Sequence, residues 1–279
     1  MKLIRTLLVY VPLLIIGLLM LLPFVFLLNT SLKSFPETMA DPPTFWPREF
    51  RWQNYVEVFQ KLPFGHYLVN TIVLTAGRVI GSVISCAVVA WGFARYPGRW
   101  SGLFFGILMA TMMLPAQITA IPVFTMFLKL GFYNTYVPLI FPAWLGCNAF
   151  FVFLLKQFFQ AVPEDLLNAA RIDGASEWQL FYRIGLPLCG PILWTIAIFA
   201  FIGSWNDYFS PLVYLNDEKL YPISLGLTYF KQSAEDAAYG TQWNLLMAAS
   251  LVTVLPVILL FFFAQKTFIN SVMASSLKQ

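Results

Sequence analysis

The chain has 279 residues, of which 59% are hydrophobic, 18% aromatic and only 11% charged. Soluble proteins contain about 25% charged residues, so this composition excludes an ordinary soluble domain. The net charge of +4 is too small to indicate a nucleic-acid-binding surface. The three cysteines form no C-x-x-C pair and no cluster with histidine, which argues against a zinc site or a disulfide framework.

Long stretches without Asp, Glu, Lys or Arg dominate the sequence. They cover residues 6–32, 100–128, 130–155, 184–206 and 237–265. Each is longer than the about 20 apolar residues that cross a hydrocarbon core roughly 30 Å thick. The first stretch follows Lys2 and Arg5, but it exceeds the about 7–15-residue apolar region of a signal peptide, which favours a retained helix.

One further apolar stretch is interrupted by Arg78. Its Gly77, Gly81 and Ser85 recur every fourth residue and put small side chains on one helix face, where another helix can approach closely. With this stretch the sequence predicts an all-α, polytopic membrane protein with six transmembrane helices in a single domain, residues 1–279. The six predicted spans lie near residues 8–30, 69–94, 102–125, 138–158, 187–212 and 244–265.

An even number of spans places both termini on the same side of the membrane. The segments on that side contain nine Lys and Arg against four Asp and Glu, whereas the segments on the other side contain seven against eight. Because cytoplasmic loops contain an excess of Lys and Arg, the sequence predicts that both termini are cytoplasmic.

The connection between the fourth and fifth predicted spans covers residues 159–186, whereas helix connections are usually a few residues long. Pro163 suits the first position of a helix, and the acids Glu164 and Asp165 favour the positive end of its dipole. Gly174 can end this helix with a positive φ that other residues resist. These signals predict a short helix between Pro163 and Gly174.

A second short helix is predicted directly after the glycine. Ser176 followed by Gln179 is a capping-box pattern, and Pro187 marks the entry into the next span. One side of the first helix contains Leu166, Ala169, Ala170 and Asp173. The alternative is a helix lying on lipid headgroups, but such helices are rich in Lys and Arg, whereas this loop has more acids than bases before Arg183. The pattern favours a rigid two-helix loop that docks on a protein.

The same residues resemble a known signature. The run Ala169-Ala170-x-x-Asp173-Gly174-Ala175, with Ile184-x-Leu186-Pro187 after it, resembles the "EAA" signature of ABC importer permeases. Further similar stretches follow the expected order from about residue 70 to the C-terminus, at residues 113–122, 131–136, 204–207 and 243–266. Together they resemble the second permease subunit of maltose-type carbohydrate importers.

In that family the loop forms coupling helices that fit a cleft on the ATP-hydrolysing subunit. The resemblance therefore implies a coupling role for Pro163, Glu164, Asp165, Asn168, Ala169, Ala170, Asp173 and Gly174. One position departs from the family pattern, because Asn168 stands where the family usually has glutamate. Glu164, one turn earlier on the same face, is the candidate to replace it.

The resemblance implies a transport subunit rather than an enzyme. The chain contains no G-x-x-x-x-G-K-[ST] sequence, so ATP and Mg²⁺ would bind a separate ATPase, and no cofactor is expected in this chain. The implied partners are a sister permease in a heterodimer, two ATPase subunits, an extracytoplasmic solute-binding protein, membrane lipid and a carbohydrate substrate, but no nucleic acid. The implied location is the cell (inner) membrane of a bacterium or archaeon, and the implied mechanism is alternating access.

Polar side chains inside membrane spans are costly in lipid and tend to face the bundle interior or a water-filled cavity. Four such residues are candidates for the substrate pathway: Arg78, Gln117, Asn206 and Asp207. For each of them the alternative is a structural role, such as a pairing of Arg78 with a carboxylate. No residue is a candidate for catalysis or for metal binding.

Three other functions stay open. One is an ABC permease for glycerol phosphate or another small polar solute. An ion-coupled secondary transporter would need acidic residues at mid-membrane, where only Asp207 lies inside a predicted span, and it would leave the loop 159–186 unexplained. A membrane enzyme would need a grouped nucleophile, base or metal-ligand set, which the sequence does not offer.

Overall fold

The computed structural model describes residues 2–61, 63–235 and 241–276, which form helices and irregular connections with no strand in those ranges. Lys278, one of the bases in the charge comparison, lies outside the described residues. The chain divides into two compact units. The first unit consists of Met1–Gly65 and Gly226–Val257, and the second of His66–Leu225 and Ile258–Gln279.

The helices differ widely in length. Up to the middle of the chain they are α1 (Lys2–Ser31), α2 (Phe35–Thr38), α3 (Gln53–Lys61), α4 (Phe64–Arg95), α5 (Ser101–Thr111), α6 (Ala116–Lys129), α7 (Val137–Ile140) and α8 (Ala149–Gln160). They continue with α9 (Glu164–Ile172), α10 (Glu177–Gln179), α11 (Leu186–Leu188), α12 (Gly190–Trp205), α13 (Phe209–Tyr214), α14 (Ile223–Glu235) and α15 (Trp243–Ser276). Two 3₁₀ helices, Phe141–Leu145 and Glu218–Leu220, and one π-helix, Leu180–Gly185, complete the helical segments.

In the first unit the fully buried side chain of Asn54 connects three stretches of chain. Its amide donates hydrogen bonds to the carbonyl oxygens of Ser31 (2.7 Å) and Lys33 (2.8 Å), and its Oδ1 accepts one from Asn244 (3.2 Å). These bonds tie the end of α1 to α3 and to the start of α15. The rest of α1 is apolar and exposed along residues 8–24, as expected for a helix that crosses a membrane.

Among the described residues, four helical stretches are long and apolar enough to cross a membrane: Leu8–Ser31, Phe64–Arg95, Val137–Gln160 and Trp243–Phe263. A fifth span results if Glu177–Leu188 and Gly190–Trp205, bent by 78°, are taken together. Two apolar helices, Ser101–Thr111 and Gln117–Lys129, are shorter. The predicted all-α membrane fold is confirmed, whereas six continuous spans are not.

The third predicted span, residues 102–125, consists of two helices. α5 ends at Thr111, and α6 begins at Ala116 directly after Pro115. Pro115 explains the break, because proline disfavours helical geometry in the residue before it and has no N–H for a helical hydrogen bond. A second proline, Pro122, is accommodated inside α6.

The fifth predicted span, residues 187–212, begins at a bend and breaks again at residues 206–208. In a continuous helix the carbonyl of Asp207 would accept a hydrogen bond from residue 211, but Pro211 has no N–H. That carbonyl instead accepts a hydrogen bond from Ser224 Oγ at 2.8 Å. The backbone is therefore irregular where the sequence predicted helix.

The fourth predicted span, residues 138–158, is broken at Gly146, which has a φ of +65°. α8 begins three residues later, because the side-chain oxygen of Asn148 accepts a hydrogen bond from the N–H of Phe151 at 3.1 Å. A Cβ at Gly146 would lie 2.7 Å from a methyl carbon of Val89, so the close packing on α4 also requires glycine.

The small-residue face predicted on α4 is present and is covered by Trp144. The Trp144 Nε1 donates a hydrogen bond to the carbonyl oxygen of Gly77 at 3.1 Å. A Cβ at Gly81 would lie 2.6 Å from Trp144 Cδ1, a distance that real Cβ atoms do not reach. Ser85 Oγ donates to the carbonyl oxygen of Ala143 at 2.8 Å. The predicted close approach to α4 is thus confirmed.

The hydrophobic core of the second unit lies where α4, α8 and the loop 159–186 meet. The ring of Trp91 contacts those of Phe159 and Phe181, with centroids 5.1 and 5.7 Å apart. Leu167 and Leu180 of the loop are fully buried in the same cluster. Burying one leucine contributes about 1.5–3 kcal/mol, so the loop is a packed part of the unit and not a loose connection.

Candidate functional site

The predicted coupling loop, residues 159–186, folds as its sequence signals indicate. α9 begins directly after Pro163 and is ended by Gly174, which has a φ of +85°. Both bonds of the capping box are formed: the N–H of Ser176 donates to Gln179 Oε1 (2.7 Å) and the N–H of Gln179 donates to Ser176 Oγ (3.4 Å). The loop therefore contains two helical segments joined at a glycine.

The second helical segment of the loop is not a regular α-helix. After the single turn of α10 it continues as the π-helix Leu180–Gly185 and then as α11. A Cβ at Gly185 would lie 2.6 Å from Trp91 Cζ3, so glycine is required for this packing. π turns are rare and often occur at functional sites. Here the wide turn lies in the stretch that buries Leu180 and Phe181.

An ion network joins the two helical segments of the loop. Arg171 pairs with Glu164 and with Glu177, each at an N–O distance of 3.2 Å, and its Nη1 donates to Asn168 Oδ1 at 2.8 Å. The hydrogen bonds to Glu177 and Glu164 raise the pKa of Arg171. The hydrogen bond from Tyr96, followed by the interaction with Arg171, lowers the pKa of the Glu177 carboxyl. The network therefore favours the charged forms that hold the loop together.

Arg95, the last residue of α4, connects that helix to the loop. Its side chain is only 8% exposed and forms a 2.8 Å ion pair with Glu164. Its Nη2 donates to the carbonyl oxygens of Phe159 and Val162, the latter at 2.7 Å. These carbonyl groups lie at the C-terminal end of α8, so the positive charge of Arg95 also interacts favourably with the negative end of the α8 dipole. The adjacent Tyr96 donates a hydrogen bond to Glu177, so the end of α4 contacts both segments of the loop.

The loop exposes four large apolar side chains among its charged residues: Leu166, Ile172, Trp178 and Tyr182. Ile172, at 87%, is the most exposed of these, and Ala169 and Asp173 are exposed beside it, whereas Ala170 is half-buried. Large apolar side chains that are exposed next to acidic residues make the loop a candidate protein-docking surface.

Glu164, the candidate for the missing family glutamate, is 56% exposed but is already paired within the chain. Its two carboxylate oxygens are shared by Arg95 and Arg171. A cationic partner residue would therefore meet a carboxylate that two arginines hold in place. The replacement of the family glutamate by Glu164 stays a prediction.

A cavity of about 510 Å³, lined by both apolar and polar residues, lies within the second unit. It borders two of the helix breaks, because Asn148 and Ser204 line it, and Thr119 of α6 faces it as well. Its polar lining residues are Arg78, Ser82, Thr119, Asn148, Ser204, Ser210 and Tyr214. The volume is within the range of about 300–1,000 Å³ that is usual for small-molecule sites. Irregular backbone is tolerated at membrane depth where it lines such a cavity.

Arg78 and Asp207, which are 129 residues apart in the sequence, form an ion pair with an N–O distance of 2.6 Å. Arg78 lines the cavity and lies near the middle of the 32-residue helix α4, ~21 Å from its start at 1.5 Å per residue. The side chains of Arg78 and Asp207 are 28% and 14% exposed. The geometry therefore combines the two predicted alternatives, a position on the cavity and a pairing with a carboxylate.

The other two predicted pathway residues lie differently. Asn206 is exposed and donates a hydrogen bond to the carbonyl oxygen of Ile202 at 3.0 Å, at the end of α12. Gln117 is exposed in the first turn of α6, and among the described lining residues this helix contributes Thr119, Ala120 and Val123 instead. A shift of one residue rotates a helical side chain by about 100°, which sequence alone does not resolve.

Six polar lining residues were not predicted from the sequence: Ser82, Thr119, Asn148, Ser204, Ser210 and Tyr214. A usable signal existed for Ser82, because it lies four residues after Arg78 and so on the same helix face. Asn148 carries no such signal, because it lies in the break between Gly146 and the start of α8.

Comparisons with known proteins agree with these features. Residues 86–273 match the family described as "Binding-protein-dependent transport system inner membrane component". The chain is 31% identical over 258 residues to the arabinooligosaccharides transport system permease protein AraQ of Halalkalibacterium halodurans, covering 90% of each chain. It is 32% identical over 249 residues to the sn-glycerol-3-phosphate transport system permease protein UgpE of Pectobacterium atrosepticum, covering 86% of this chain and 85% of that protein.

A solved structure is similar as well. It is the crystal structure of a bacterial ABC transporter involved in the import of the acidic polysaccharide alginate, with a TM-score of 0.84 and 25% identity, covering 94% of this chain and 96% of that chain. These findings confirm the resemblance to ABC importer permeases. The family match extends over more than half of the length of the chain. The chain therefore belongs to the binding-protein-dependent transport system inner membrane components, a family of multi-pass membrane permeases.

Proposed function

We propose that the chain is a permease subunit of an ATP-driven carbohydrate importer that receives its substrate from an extracytoplasmic solute-binding protein. The observation that supports this most directly is that one compact unit contains both a cavity with polar lining residues and a rigidly held loop with exposed apolar side chains. The cavity offers a place for a small solute, and the loop offers a place where a separate motor protein can act.

Helix α4 supplies the mechanical connection in this proposal. Arg95 ties its last turn to the coupling loop, and Arg78, 17 residues earlier and ~26 Å away along the helix, lines the cavity. Two separate ATPase subunits bind ATP and Mg²⁺, and their closure moves the loop. The helices follow as a rigid group, which opens the cavity to alternate sides of the membrane. Hydrolysis then returns the starting state.

Carbohydrate is the proposed substrate class because the cavity combines hydroxyl and amide groups with aromatic rings. The relative named for arabinooligosaccharide transport supports this assignment. The relative named for sn-glycerol-3-phosphate transport favours a second candidate, a small phosphorylated solute.

We further propose that a sister permease completes a heterodimer in the inner membrane of a bacterium or archaeon. Both termini are cytoplasmic in this proposal, as the distribution of Lys and Arg favours.

The variant Ala169→Arg tests the coupling role, because it adds a long cation to the exposed face of α9 without entering the core. We expect normal membrane insertion, continued basal ATP hydrolysis by the complex and at least about a tenfold loss of ATP-driven oligosaccharide uptake into proteoliposomes, equivalent to about 1.4 kcal/mol. Gly98→Arg is the matched control, because Gly98 is exposed and a Cβ there meets no atom within 4 Å.

Two results would contradict the proposal. One is undiminished uptake in Ala169→Arg. The other is uptake by the wild-type complex that continues without ATP and follows an ion gradient instead, which would indicate a secondary transporter.

A further inference from the structure

The charge of the cavity bears on which solutes it can accept. Of the described residues that line it, only Arg78 has a formal charge. The Asp207 carboxylate compensates that charge at 2.6 Å. The other carboxylate oxygen of Asp207 accepts a hydrogen bond from the N–H of Ser210 at 3.1 Å, which fixes the carboxylate in place. The cavity therefore offers a paired cation and not a free one.

An anionic solute gains little electrostatic binding free energy in such a cavity. To bind Arg78 as its own counterion, a phosphate or a uronate would have to displace Asp207 and leave that carboxylate, which is only 14% exposed, without its partner. Separating a partly buried ion pair in this way is unfavourable, because one charge stays largely buried without compensation. An anion that left the pair intact would approach Asp207 as well as Arg78.

An uncharged hydroxyl group can bind without separating the pair. A guanidinium has five N–H donors, so Arg78 can donate to a hydroxyl oxygen while it remains bound to Asp207. Ser82, Ser204 and Ser210 also line the cavity, and a serine hydroxyl can both donate to and accept from a ligand hydroxyl. The rings of Phe151, Phe209 and Tyr214 offer apolar surface to the C–H faces of a sugar ring.

From this arrangement we infer that the cavity selects uncharged, hydroxyl-rich saccharides and discriminates against phosphorylated and uronic-acid solutes, and that the Arg78–Asp207 pair is the specificity determinant. The inference rests on the proposed function and narrows its substrate class. It also separates this chain's cavity from the charged cargo in the names of two similar proteins, glycerol phosphate and alginate.

The test measures initial uptake rates in proteoliposomes loaded with ATP that contain the complete importer and its binding protein. The probes are neutral oligohexoses and the oligouronates of the same length, with glycerol 3-phosphate as a small anion. For the wild type we expect uptake of the neutral sugar to exceed that of the matched uronate by at least about tenfold, a difference of about 1.4 kcal/mol.

The variants Asp207→Asn and Arg78→Gln/Asp207→Asn assign that preference to the ion pair. The amide introduced by Asp207→Asn would keep the oxygen that accepts from Ser210 but would leave the Arg78 charge uncompensated. The ratio of neutral to anionic uptake should therefore fall by about threefold or more, or about 0.65 kcal/mol. The double variant removes the cation too and should restore the preference. Because the binding protein is the same in all three complexes, a change in the ratio belongs to the permease.

Three outcomes are decisive. Preferential ATP-driven uptake of the uronate or of glycerol 3-phosphate by the wild type would overturn the inference while the proposed function stands. A wild-type preference for neutral sugar that stays unchanged in Asp207→Asn would overturn the role of the ion pair. Absence of ATP-driven uptake of every saccharide would contradict the proposed function itself.

Discussion

Arg95 is the residue on which the mechanical part of the account depends most. It has three partners in the loop region: the carboxylate of Glu164 and the carbonyl oxygens of Phe159 and Val162. Its guanidinium also lies over the ring of Trp91, 5.6 Å from the centroid. Lysine cannot reproduce this set, because an ammonium group lacks the planar, forked arrangement of donors.

We therefore expect Arg95→Lys to fold and insert but to loosen the connection between α4 and the loop. Hydrogen bonds to charged groups contribute about 1.5–3 kcal/mol each, and the half-exposed Glu164 pair falls at or below the low end of that range. Loss of one interaction of about 1.4 kcal/mol corresponds to a factor of ten. The number of ATP molecules hydrolysed per substrate molecule transported should therefore rise by about tenfold. Arg99→Lys is the control, since Arg99 is exposed near the same helix end. An unchanged ratio in Arg95→Lys would remove Arg95 from the coupling connection.

At the residue scale, the sequence predicted which residue types lie near the cavity better than it predicted which side chains pair with each other. Arg78 and Asp207 were both expected on the substrate pathway, because charged groups inside apolar spans are costly. Nothing in the sequence indicated that they pair with each other, since 129 residues separate them. Gln117 has the right residue type, but the turn of α6 places Thr119 on the cavity instead.

At the scale of the helices, the breaks are as informative as the spans. Prolines and a positive-φ glycine interrupt the third, fourth and fifth predicted spans, at residues 112–115, 146–148 and 206–208. Hydrophobicity predicts where apolar stretches lie, but it does not report whether their backbone is continuous. The prolines were visible in the sequence, yet Pro122 stays inside a helix and Pro115 ends one, so the residue type alone does not decide the outcome.

The tight packing of the 3₁₀ helix Phe141–Leu145 on α4 gives a stability prediction. Gly81→Ala would place a Cβ 2.6 Å from Trp144, and overpacking of this kind costs about 1–3 kcal/mol. We expect a lower thermal unfolding temperature of the purified complex and a lower folded yield. Gly92→Ala on the same helix is the control, because its Cβ meets no atom within 4 Å and alanine favours helix. If the two variants unfold at the same temperature, the close approach of Trp144 is not important for stability.

At the scale of the whole molecule, the second compact unit contains the coupling loop, the cavity and most of the helix that connects them. The sequence was sufficient to predict the class of protein and the loop, because both depend on local signals: charge-free stretches, a proline, a glycine and a capping box. The cavity depends on contacts between distant segments, and for that reason its lining was predicted only in part. Our inference about the charge of the substrate depends on the Arg78–Asp207 ion pair, which only the folded chain reveals.

Cross-linking from position 172 shows whether a separate ATPase docks on the loop 159–186. Ile172→Cys in a Cys147→Ser background places a thiol at the most exposed of the four large apolar side chains of the loop, and Phe263→Cys, on α15, is a control of similar exposure. With a short bifunctional reagent on the intact importer, we expect a nucleotide-dependent adduct between the thiol of Ile172→Cys and the ATPase, and none from the thiol of Phe263→Cys. Absence of an ATPase adduct in Ile172→Cys, or an equal adduct in Phe263→Cys, would show that the ATPase does not dock on this loop.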